Sequence, residues 1–374
     1  MTSKRVLILG ANGFIGNALV RELLDRGHTV VGMDLESDKL DHCLGAEGFR
    51  FVQGDIAVDR DWVEQEILAA DVVLPLVAIA TPALYVREPL RVFELDFEEN
   101  MRVIRLCVEH GKRLIFPSTS EVYGMCQDND FDEETSALVM GPIHKQRWIY
   151  GCLKQLLDRV IYAYGVHEDL DYTLFRPFNW IGPRLDAIDA EKIGSSRVVT
   201  QFIGALVRRQ PIDLVDGGAQ RRCYTYISDG VDALVRMIED ESGASRQQIF
   251  NIGNPENECS VGQLAERLHR IYRTEFGGDP LPLDRALRVV DSRTFYGEGY
   301  QDLTSRRPSI AKAQRELGWM PRVDLECSLR ETLRFFLGEM KSLESRVRDV
   351  LREGSPSSPA AASGRTLRDD ALRN

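Results

Sequence analysis

The sequence predicts an α/β protein with a Rossmann-type, doubly wound parallel sheet and a smaller, discontinuous C-terminal substrate domain. A glycine loop with Gly10, Gly13 and Gly16 lies between an apolar strand and an amphipathic helix. Strand-length apolar segments then alternate with helical segments, which is typical of parallel sheets with right-handed crossovers. After Pro177, prolines and glycines divide the chain into short segments, as expected of a second domain over the carboxyl edge of the sheet.

Each predicted element follows from the spacing of its apolar residues. Ile15, Leu19 and Leu23 recur at helical spacing after the glycine loop, and Gly27 is placed to end that helix. A second amphipathic helix is predicted over 228–241. Strands are expected at 5–9, 29–33, 51–52, 72–79, 113–116, 172–176 and 248–252, the last of them returning to the main sheet.

Charge and composition argue against several classes of protein. A formal net charge of −11 disfavours nonspecific binding to nucleic acid or to an anionic membrane. No apolar run reaches the length of a membrane span, and no signal-peptide pattern is present, so we expect a cytoplasmic protein. The seven cysteines and six histidines are scattered, which predicts neither a disulfide framework nor a metal site.

The glycine loop predicts a dinucleotide site. Its first glycine permits a tight turn, the second lets backbone amides approach a pyrophosphate, and the third allows close packing of helix and sheet. A plain strand–loop–helix turn that needs glycine is the alternative. The residues expected to contact the cofactor in this loop are Gly10, Gly13, Phe14, Ile15 and Gly16.

Acidic residues at the ends of the next two strands favour NAD as the cofactor. Asp34 ends the second strand about 20 residues after the loop, where a carboxylate accepts hydrogen bonds from the adenosine ribose. The same carboxylate would repel a 2′-phosphate, so NAD is favoured over NADP. Asp55 and Ile56 follow the third strand and are placed to edge the adenine, although a solvated strand-end role is open for Asp55.

Tyr150 and Lys154 form the predicted chemical site. One helical turn places both on the same face, where the ammonium and a positive nicotinamide would lower the phenol pKa from about 10. Tyr150 would then remove a hydroxyl proton while hydride leaves the same carbon. Thr119 and Glu121 follow the strand at 113–116, and Thr119 is placed to hydrogen-bond the reacting hydroxyl.

Longer strings resemble a known family. The Gly-x-x-Gly-x-x-Gly loop, the Thr-Ser-Glu triplet and Tyr-x-x-x-Lys, in this order, resemble the extended short-chain dehydrogenase/reductases that act on nucleotide sugars. The strings at 74–82, 118–125, 175–184, 251–258 and 296–302 are similar to the UDP-glucuronic acid decarboxylase domain of the bifunctional polymyxin-resistance enzyme. The resemblance covers roughly residues 4–340.

This resemblance implies roles for individual residues. Asp34, Asp55 and Ile56 would bind NAD, and Glu121 with Arg306 would form the acid–base pair of a decarboxylating step. The sugar or diphosphate would be lined by Ala80, Tyr85, Thr119, Ser120, Arg147 and Asn179. The segment from Asp213 through Arg221 to Arg222 would hold the uridine and diphosphate, with Tyr300 closing over it.

The implied reaction is oxidation of UDP-glucuronic acid at C4, followed by loss of carbon dioxide, to give UDP-4-keto-pentose and NADH. Three alternatives remain: a UDP-xylose synthase that re-reduces the ketone, a UDP-glucuronate 4-epimerase, and a non-catalytic NAD-sensing regulator. Cysteines of UDP-apiose/UDP-xylose synthases are replaced here by Ala80 and Ser120, which argues against ring contraction.

The resemblance also predicts domain organisation and assembly. We expect an NAD-binding domain over 1–180, to which 224–254 returns, and a nucleotide-sugar-binding domain formed by 181–223 and 255–345. A homodimer is expected through helices at about 90–110 and 148–165. The segment 355–374 is rich in Ser, Pro and Ala and is expected to be disordered.

Overall fold

The computed structural model describes residues 2–188 and 196–353, with backbone only for 343–353. The described residues divide into two units, with the boundary between Phe336 and Leu337. The segment 355–374, for which we predict disorder, lies outside the described residues. Among those residues, no helix is both long enough and apolar enough to cross a membrane.

Fourteen strands are found in the described chain. They are β1 (Arg5–Leu9), β2 (Thr29–Asp34), β3 (Phe49–Gln53), β4 (Val72–Pro75), β5 (Arg113–Pro117), β6 (Tyr172–Pro177), β7 (Trp180–Ile181), β8 (Ile212–Val215), β9 (Arg221–Cys223), β10 (Thr225–Tyr226), β11 (Gln248–Ile252), β12 (Glu258–Ser260), β13 (Leu287–Val290) and β14 (Ser305–Arg306). Seven of these strands form one parallel sheet in the order β11-β6-β5-β4-β1-β2-β3.

The helices are α1 (Phe14–Asp25), α2 (Arg60–Ala69), α3 (Pro82–Arg87), α4 (Pro89–Phe93), α5 (Asn100–Glu109), α6 (Ile149–Glu168), α7 (Val198–Val207), α8 (Ile227–Glu239), α9 (Val261–Glu275), α10 (Leu283–Ala286), α11 (Ser292–Tyr296), α12 (Ala311–Leu317) and α13 (Leu325–Glu353). A π-helix, Glu94–Glu99, joins α4 to α5. Short 3₁₀ helices lie at Ser120–Tyr123, Gln146–Trp148, Asp216–Gly218 and Pro255–Asn257.

The main sheet is covered by helices on both faces, which confirms the predicted doubly wound α/β class. Buried side chains of α2, α5 and α6, including Ile67, Ile104 and Leu157, pack on one face in a cluster with sheet residues such as Leu7 and Phe116. α1 and α8 pack against each other on the other face. The strand order reverses between β1 and β4, and the carboxyl edge at such a point is where ligands bind in this architecture.

Most strand predictions are confirmed, but β4 is shorter than expected. It ends at Pro75 instead of Ile79. Beyond it, Asp96 Oδ1 accepts a hydrogen bond from the Ile79 amide at 2.8 Å, and Asn100 Nδ2 donates to the Val77 carbonyl at 3.2 Å. Side chains of the neighbouring helical segment thus satisfy the backbone groups that a longer strand would have paired.

The close approach of α1 to the glycine loop generates a testable prediction for Gly16. A Cβ atom at this position would lie 2.3 Å from the Gly10 carbonyl oxygen and 2.8 Å from that of Ala11. Because both obstacles are backbone atoms, Gly16→Ala should lower the free energy of unfolding by about 1–3 kcal/mol. Urea denaturation measures this change.

Gly338→Ala is the matched control, because a Cβ atom there meets nothing within 4 Å. It should leave the free energy of unfolding unchanged or raise it by up to about 1 kcal/mol through helix propensity. Equal stability of Gly16→Ala and the wild type would contradict the tight packing seen at the loop.

Candidate active site

A cleft of about 520 Å³ lies at the carboxyl edge of the main sheet, where the strand order reverses. It brings together most of the residues predicted to bind cofactor and substrate. These are Gly10, Gly13, Phe14, Ile15, Gly16, Ala80, Tyr85, Thr119, Ser120, Glu121, Arg147, Tyr150, Lys154, Asn179, Asp213, Arg222, Tyr300 and Arg306. Residues from distant parts of the chain therefore share one site.

The glycine loop has the geometry that a pyrophosphate requires. Gly10 has a φ of +90°, and its amide donates to the Met33 carbonyl at 2.8 Å, which holds the turn against β2. Gly13 precedes α1, and no side chain caps the first amides of that helix. These amides and the positive end of the helix dipole are available to an anionic ligand in the cleft.

Asp34 stands at the end of β2, beside this loop. Its Oδ2 atom accepts from the Asn12 amide and its Oδ1 atom from the Leu35 amide, both at 2.8 Å. Burial raises the pKa of Asp34, while these backbone amides oppose the change. Each carboxylate oxygen can accept further hydrogen bonds, so the position fits the ribose hydroxyls of a dinucleotide.

Asp55 and Ile56 follow β3 and lie beyond the residues that line the cleft. Asp55 Oδ1 accepts from the Ala57 amide at 2.9 Å, and the Asp55 amide donates to Asp59 Oδ2 at 2.8 Å. The Ile56 side chain is buried. The local hydrogen bonds of Asp55 fit a turn as well as a contact to adenine, so its role stays a prediction.

Tyr150 lies in the first turn of α6 and is buried. Its ring stacks on that of Tyr85, with centroids 4.6 Å apart and planes at 7°. The Thr119 hydroxyl lies close enough to Tyr150 to act on its pKa, which it lowers. Lys154, one turn further along α6, donates from Nζ to the Pro117 carbonyl at 2.9 Å. A hydroxyl pair and an ammonium group thus lie together at the end of β5.

The protein groups around Tyr150 do not make it acidic. Burial raises the pKa of Tyr150, as do the Asp96 and Glu121 carboxyls, and the Thr119 hydroxyl only partly offsets them. Burial also disfavours the charged form of Lys154 and therefore lowers the pKa of its ammonium group. The lowering of the phenol pKa that we predicted from Lys154 is therefore not found in the protein alone. It depends on the second cation in that prediction, the positive nicotinamide.

Glu121 is held by two arginines. Arg147 donates to both carboxylate oxygens, at 2.6 and 2.9 Å, and Arg306 Nη1 donates to Oε1 at 3.1 Å. Burial acts to raise the pKa of Glu121, but the two guanidinium groups outweigh it and hold this pKa below its ordinary value. Glu121 is therefore an ionised carboxylate at neutral pH.

A second ion pair completes this cluster. Arg222 donates to Asp302 Oδ1 at 2.6 Å, and both side chains are largely buried. Burial and the neighbouring Arg222 lower the pKa of Arg306. We call the three arginines and two carboxylates the arginine cluster: Arg147, Arg222, Arg306, Glu121 and Asp302. Its formal charge is +1, so this end of the cleft favours an anionic ligand.

Arg221 is another predicted site residue that the structure does not bring to the cleft. It precedes Arg222 on β9, and alternate side chains of a strand point in opposite directions. Arg222 is buried within the arginine cluster, whereas Arg221 is exposed and paired with Glu258 at 3.0 Å. Asp213 lines the cleft but also pairs with Arg288 at 2.6 Å.

Several cleft residues were absent from our predicted site residues. Asp302 lies inside the string at 296–302 that carried part of the family resemblance, so that string was the available signal. Tyr296 stacks on Tyr300 with centroids 4.1 Å apart, beside the same cluster. Arg197 lines the cleft near the Phe14 ring, and no motif marked it.

Gly151 lies where α6 packs against the 3₁₀ helix Ser120–Tyr123, which contains Glu121. Glycine in a helix interior costs about 1 kcal/mol relative to alanine. A Cβ atom at Gly151 would lie 3.0 Å from the Glu121 carbonyl oxygen and 3.3 Å from Met140 Sδ. The missing side chain lets α6 pass against the 3₁₀ turn that holds Glu121.

Comparison with known proteins identifies the family. Residues 6–253 match the NAD dependent epimerase/dehydratase family. The chain belongs to this family. The crystal structure of the PbgP3 protein from Burkholderia pseudomallei is 48 % identical to this chain, covers 91 % of it and 98 % of its own chain, and has a TM-score of 0.80.

Two more distant structures share the fold of this epimerase/dehydratase. UDP-glucose 4-epimerase from Thermotoga maritima, solved with UDP-glucose, is 24 % identical, covers 90 % of this chain and 99 % of its own, and has a TM-score of 0.73. A UDP-glucuronic acid 4-epimerase variant from Bacillus cereus, in complex with a fluorinated UDP-glucuronic acid and NAD, is 20 % identical, with a TM-score of 0.74 and coverage of 91 % and 99 %.

Membership of this family confirms NAD as the cofactor. The glycine loop and Asp34 fit the pyrophosphate and the adenosine ribose, as described above. Among the described residues, no group of three or more His, Cys, Asp or Glu side chains is arranged to hold a metal ion.

The coupling of Glu121 to its arginines should make stability depend on pH. Because the folded-state pKa of Glu121 is lowered, its contribution is present above the unfolded-state pKa of about 4.3 and is lost as the pH falls further. Glu121→Gln should therefore lower the free energy of unfolding by about 3 kcal/mol at neutral pH. Below about pH 4, the difference in the free energy of unfolding between Glu121→Gln and the wild type should become smaller.

Urea denaturation of both proteins across this pH range measures the effect. Glu134→Gln serves as the control. Glu134 is exposed in its ion pair with Lys312, so this substitution should change the free energy of unfolding little at any pH in the range. A gap between Glu121→Gln and the wild type that stays constant as the pH falls would contradict the proposed ionisation.

Proposed function

We propose that the protein is an NAD-dependent UDP-glucuronate decarboxylase that releases UDP-4-keto-pentose, carbon dioxide and NADH. The observation that carries this proposal is the arginine cluster beside the Tyr150 and Thr119 hydroxyls. Oxidation of a sugar alcohol needs only the hydroxyl pair and the cofactor. A buried carboxylate with two guanidinium groups in contact provides what a further step on an anionic substrate needs.

Tyr150 and Thr119 would carry out the first step. Bound NAD supplies the acceptor for the hydride that leaves C4. Tyr150 would accept the proton of the C4 hydroxyl, and Thr119 would hold that hydroxyl by a hydrogen bond. Lys154 would supply positive charge from behind, fixed by its bond to the Pro117 carbonyl.

The arginine cluster would serve the second step. A ketone at C4 is β to the C6 carboxylate, so breaking the C5–C6 bond releases carbon dioxide and moves the electron pair into an enolate. Arg306 would stabilise the developing negative charge, and Arg147 would hold Glu121 in place. The enolate then takes a proton at C5, and both Arg306 and a water oriented by the Glu121 carboxylate stay open as its source.

The remaining cleft residues would bind the nucleotide sugar. Arg222 suits the diphosphate, since guanidinium groups form paired hydrogen bonds with such oxygens. Tyr300 lies over Arg147, 6.0 Å from the guanidinium carbon to the ring centroid, and would cover the sugar. We assign Ala80, Tyr85, Ser120 and Asn179 to the sugar and diphosphate, and Asp213 to the uridine.

A UDP-glucuronate 4-epimerase is the second candidate. The Tyr150, Thr119 and Lys154 arrangement oxidises C4 equally well for epimerisation, and the family includes epimerases. A UDP-xylose synthase would use the same groups and return the hydride to the ketone. The NAD-sensing regulator has less support, because it would not need the hydroxyl pair or the arginine cluster.

Product analysis separates these functions. With NAD and UDP-glucuronic acid labelled at C6, we expect labelled carbon dioxide and an equal amount of NADH, measured by radiometry and absorbance. Carbon dioxide without net NADH indicates the xylose synthase, and UDP-galacturonic acid without carbon dioxide indicates the epimerase. Tyr150→Phe should abolish turnover in all three cases, and no turnover by the wild type would favour the regulator.

Arg306→Ala tests the decarboxylating step. Loss of this donor should reduce carbon dioxide release by about 10²-fold or more, because charge on the enolate is no longer stabilised. Affinity for NAD should be unchanged. Release and binding are measured by radiometry and by isothermal titration calorimetry.

The adjacent Arg307 provides the matched control. It pairs with Asp130 at the surface, outside the arginine cluster, so Arg307→Ala should retain carbon dioxide release. Equal loss in both variants would indicate damage to β14 and would remove the special role of Arg306.

Domain organisation and assembly are also part of this proposal. We assign nucleotide-sugar binding to 181–223 and 255–345 and cofactor binding to 1–180 with 224–254. Support for a homodimer comes from α6, where the apolar side chains of Leu156, Tyr162 and Val166 are exposed. We propose that these side chains form one apolar patch at the interface between copies.

A further inference from the structure

Asp96 is a buried carboxyl next to the active site that the proposed reaction does not use. It lies in the π-helix Glu94–Glu99, which packs against α6, and its side chain is fully buried. Oδ1 accepts from the Ile79 amide at 2.8 Å, whereas Oδ2 has no hydrogen-bond partner. A buried, unpartnered carboxyl oxygen is costly, which points to an electrostatic role.

The π-helix that carries Asp96 packs against α6, the helix that carries Lys154, and the Asp96 carboxyl acts on the charge of Lys154. The Lys154 ammonium group is buried and donates to one acceptor, the Pro117 carbonyl. The carboxyls of Asp96 and Asp158 both raise the pKa of Lys154. Asp158 already has a cation of its own, since Arg176 Nη2 lies 3.0 Å away, and it also accepts from Ser118.

Asp96 has no such cation. Among the described side chains, no Lys, Arg or His nitrogen lies within ion-pair distance of it, and Lys154 is the cation that acts on its charge. Tyr85 and Tyr150 are the other ionisable groups that it influences. Burial raises the pKa of Asp96 to about 7.

We infer that Asp96 is the counter-ion that keeps Lys154 protonated within the buried site, and so extends activity to alkaline pH. It acts through Lys154 and touches neither substrate nor cofactor, so it is a positioning residue. The inference rests on the proposed function in that it treats Tyr150 and Lys154 as the reacting pair. It applies equally to decarboxylase, xylose synthase and epimerase.

The sign of the effect follows from the charges. Ionised Asp96 raises the pKa of Lys154, against the burial that lowers it. Asp96 ionises as the pH rises through about 7, so this support develops over that range and is largest at alkaline pH. Removing the carboxylate should therefore shift the alkaline limb of the rate profile toward neutral pH.

Asp96→Asn tests this, because the amide oxygen can still accept from Ile79. We expect the alkaline limb of kcat with UDP-glucuronic acid and NAD to move by about one pH unit toward neutral pH. The KM values should be unchanged. Glu99→Gln is the matched control: it lies in the same π-helix but pairs with Arg60 and Arg102, and its profile should match the wild type.

A lower kcat for Asp96→Asn with both limbs unmoved would assign Asp96 a merely structural role and overturn the inference. If this variant does not fold, the wild-type protein still decides. The side-chain ¹⁵N signal of Lys154, identified by its loss in Lys154→Arg, should show an inflection near pH 7 as Asp96 ionises. A signal without this inflection would also overturn the inference, whichever sugar reaction the enzyme catalyses.

Discussion

The pairing of Glu121 with Arg147 and Arg306 is the interaction on which the rest of the active site depends. Buried charges are tolerated only when they are paired and hydrogen-bonded. Here one carboxylate receives three hydrogen bonds from two guanidinium groups. It thereby connects the turn after β5, the turn before α6 and the strand β14. The same contacts that make burial possible place two cations in the cleft that Tyr150 also lines, so the packing and the proposed chemistry share one cause.

A second constraint comes from the short strand β4. Where it ends, the chain must satisfy backbone groups without a neighbouring strand, and Asp96 and Asn100 provide the hydrogen bonds. The same carboxyl also acts on the charge of Lys154. Two groups of residues thus contribute to both stability and the proposed reaction. One is the arginine cluster. The other is Asp96, whose carboxyl accepts a hydrogen bond from the Ile79 amide beyond the end of β4 and also acts on Lys154.

Much of the fold follows from local sequence. β1 and β11 have the predicted bounds, because each is a strand-length segment that ends directly before a glycine. β4 differs because the apolar run from 72 to 79 continues past the strand, and apolar character alone does not show where pairing stops. The hydrogen bonds that replace pairing come from Asp96 and Asn100, whose roles depend on how the π-helix packs. Local patterning carries no information about that contact.

The sequence alone determined the glycine loop, the carboxylate at Asp34 and the one-turn spacing of Tyr150 and Lys154, since each depends on neighbours close in the chain. Tertiary structure alone decided that Arg306 reaches Glu121 across 185 residues and that Arg222 is buried while Arg221 faces outward. It also decided the direction of the Tyr150 pKa, which burial and two carboxyls raise. Charges act through space and strand faces depend on packing, so these properties exist only once the chain has folded.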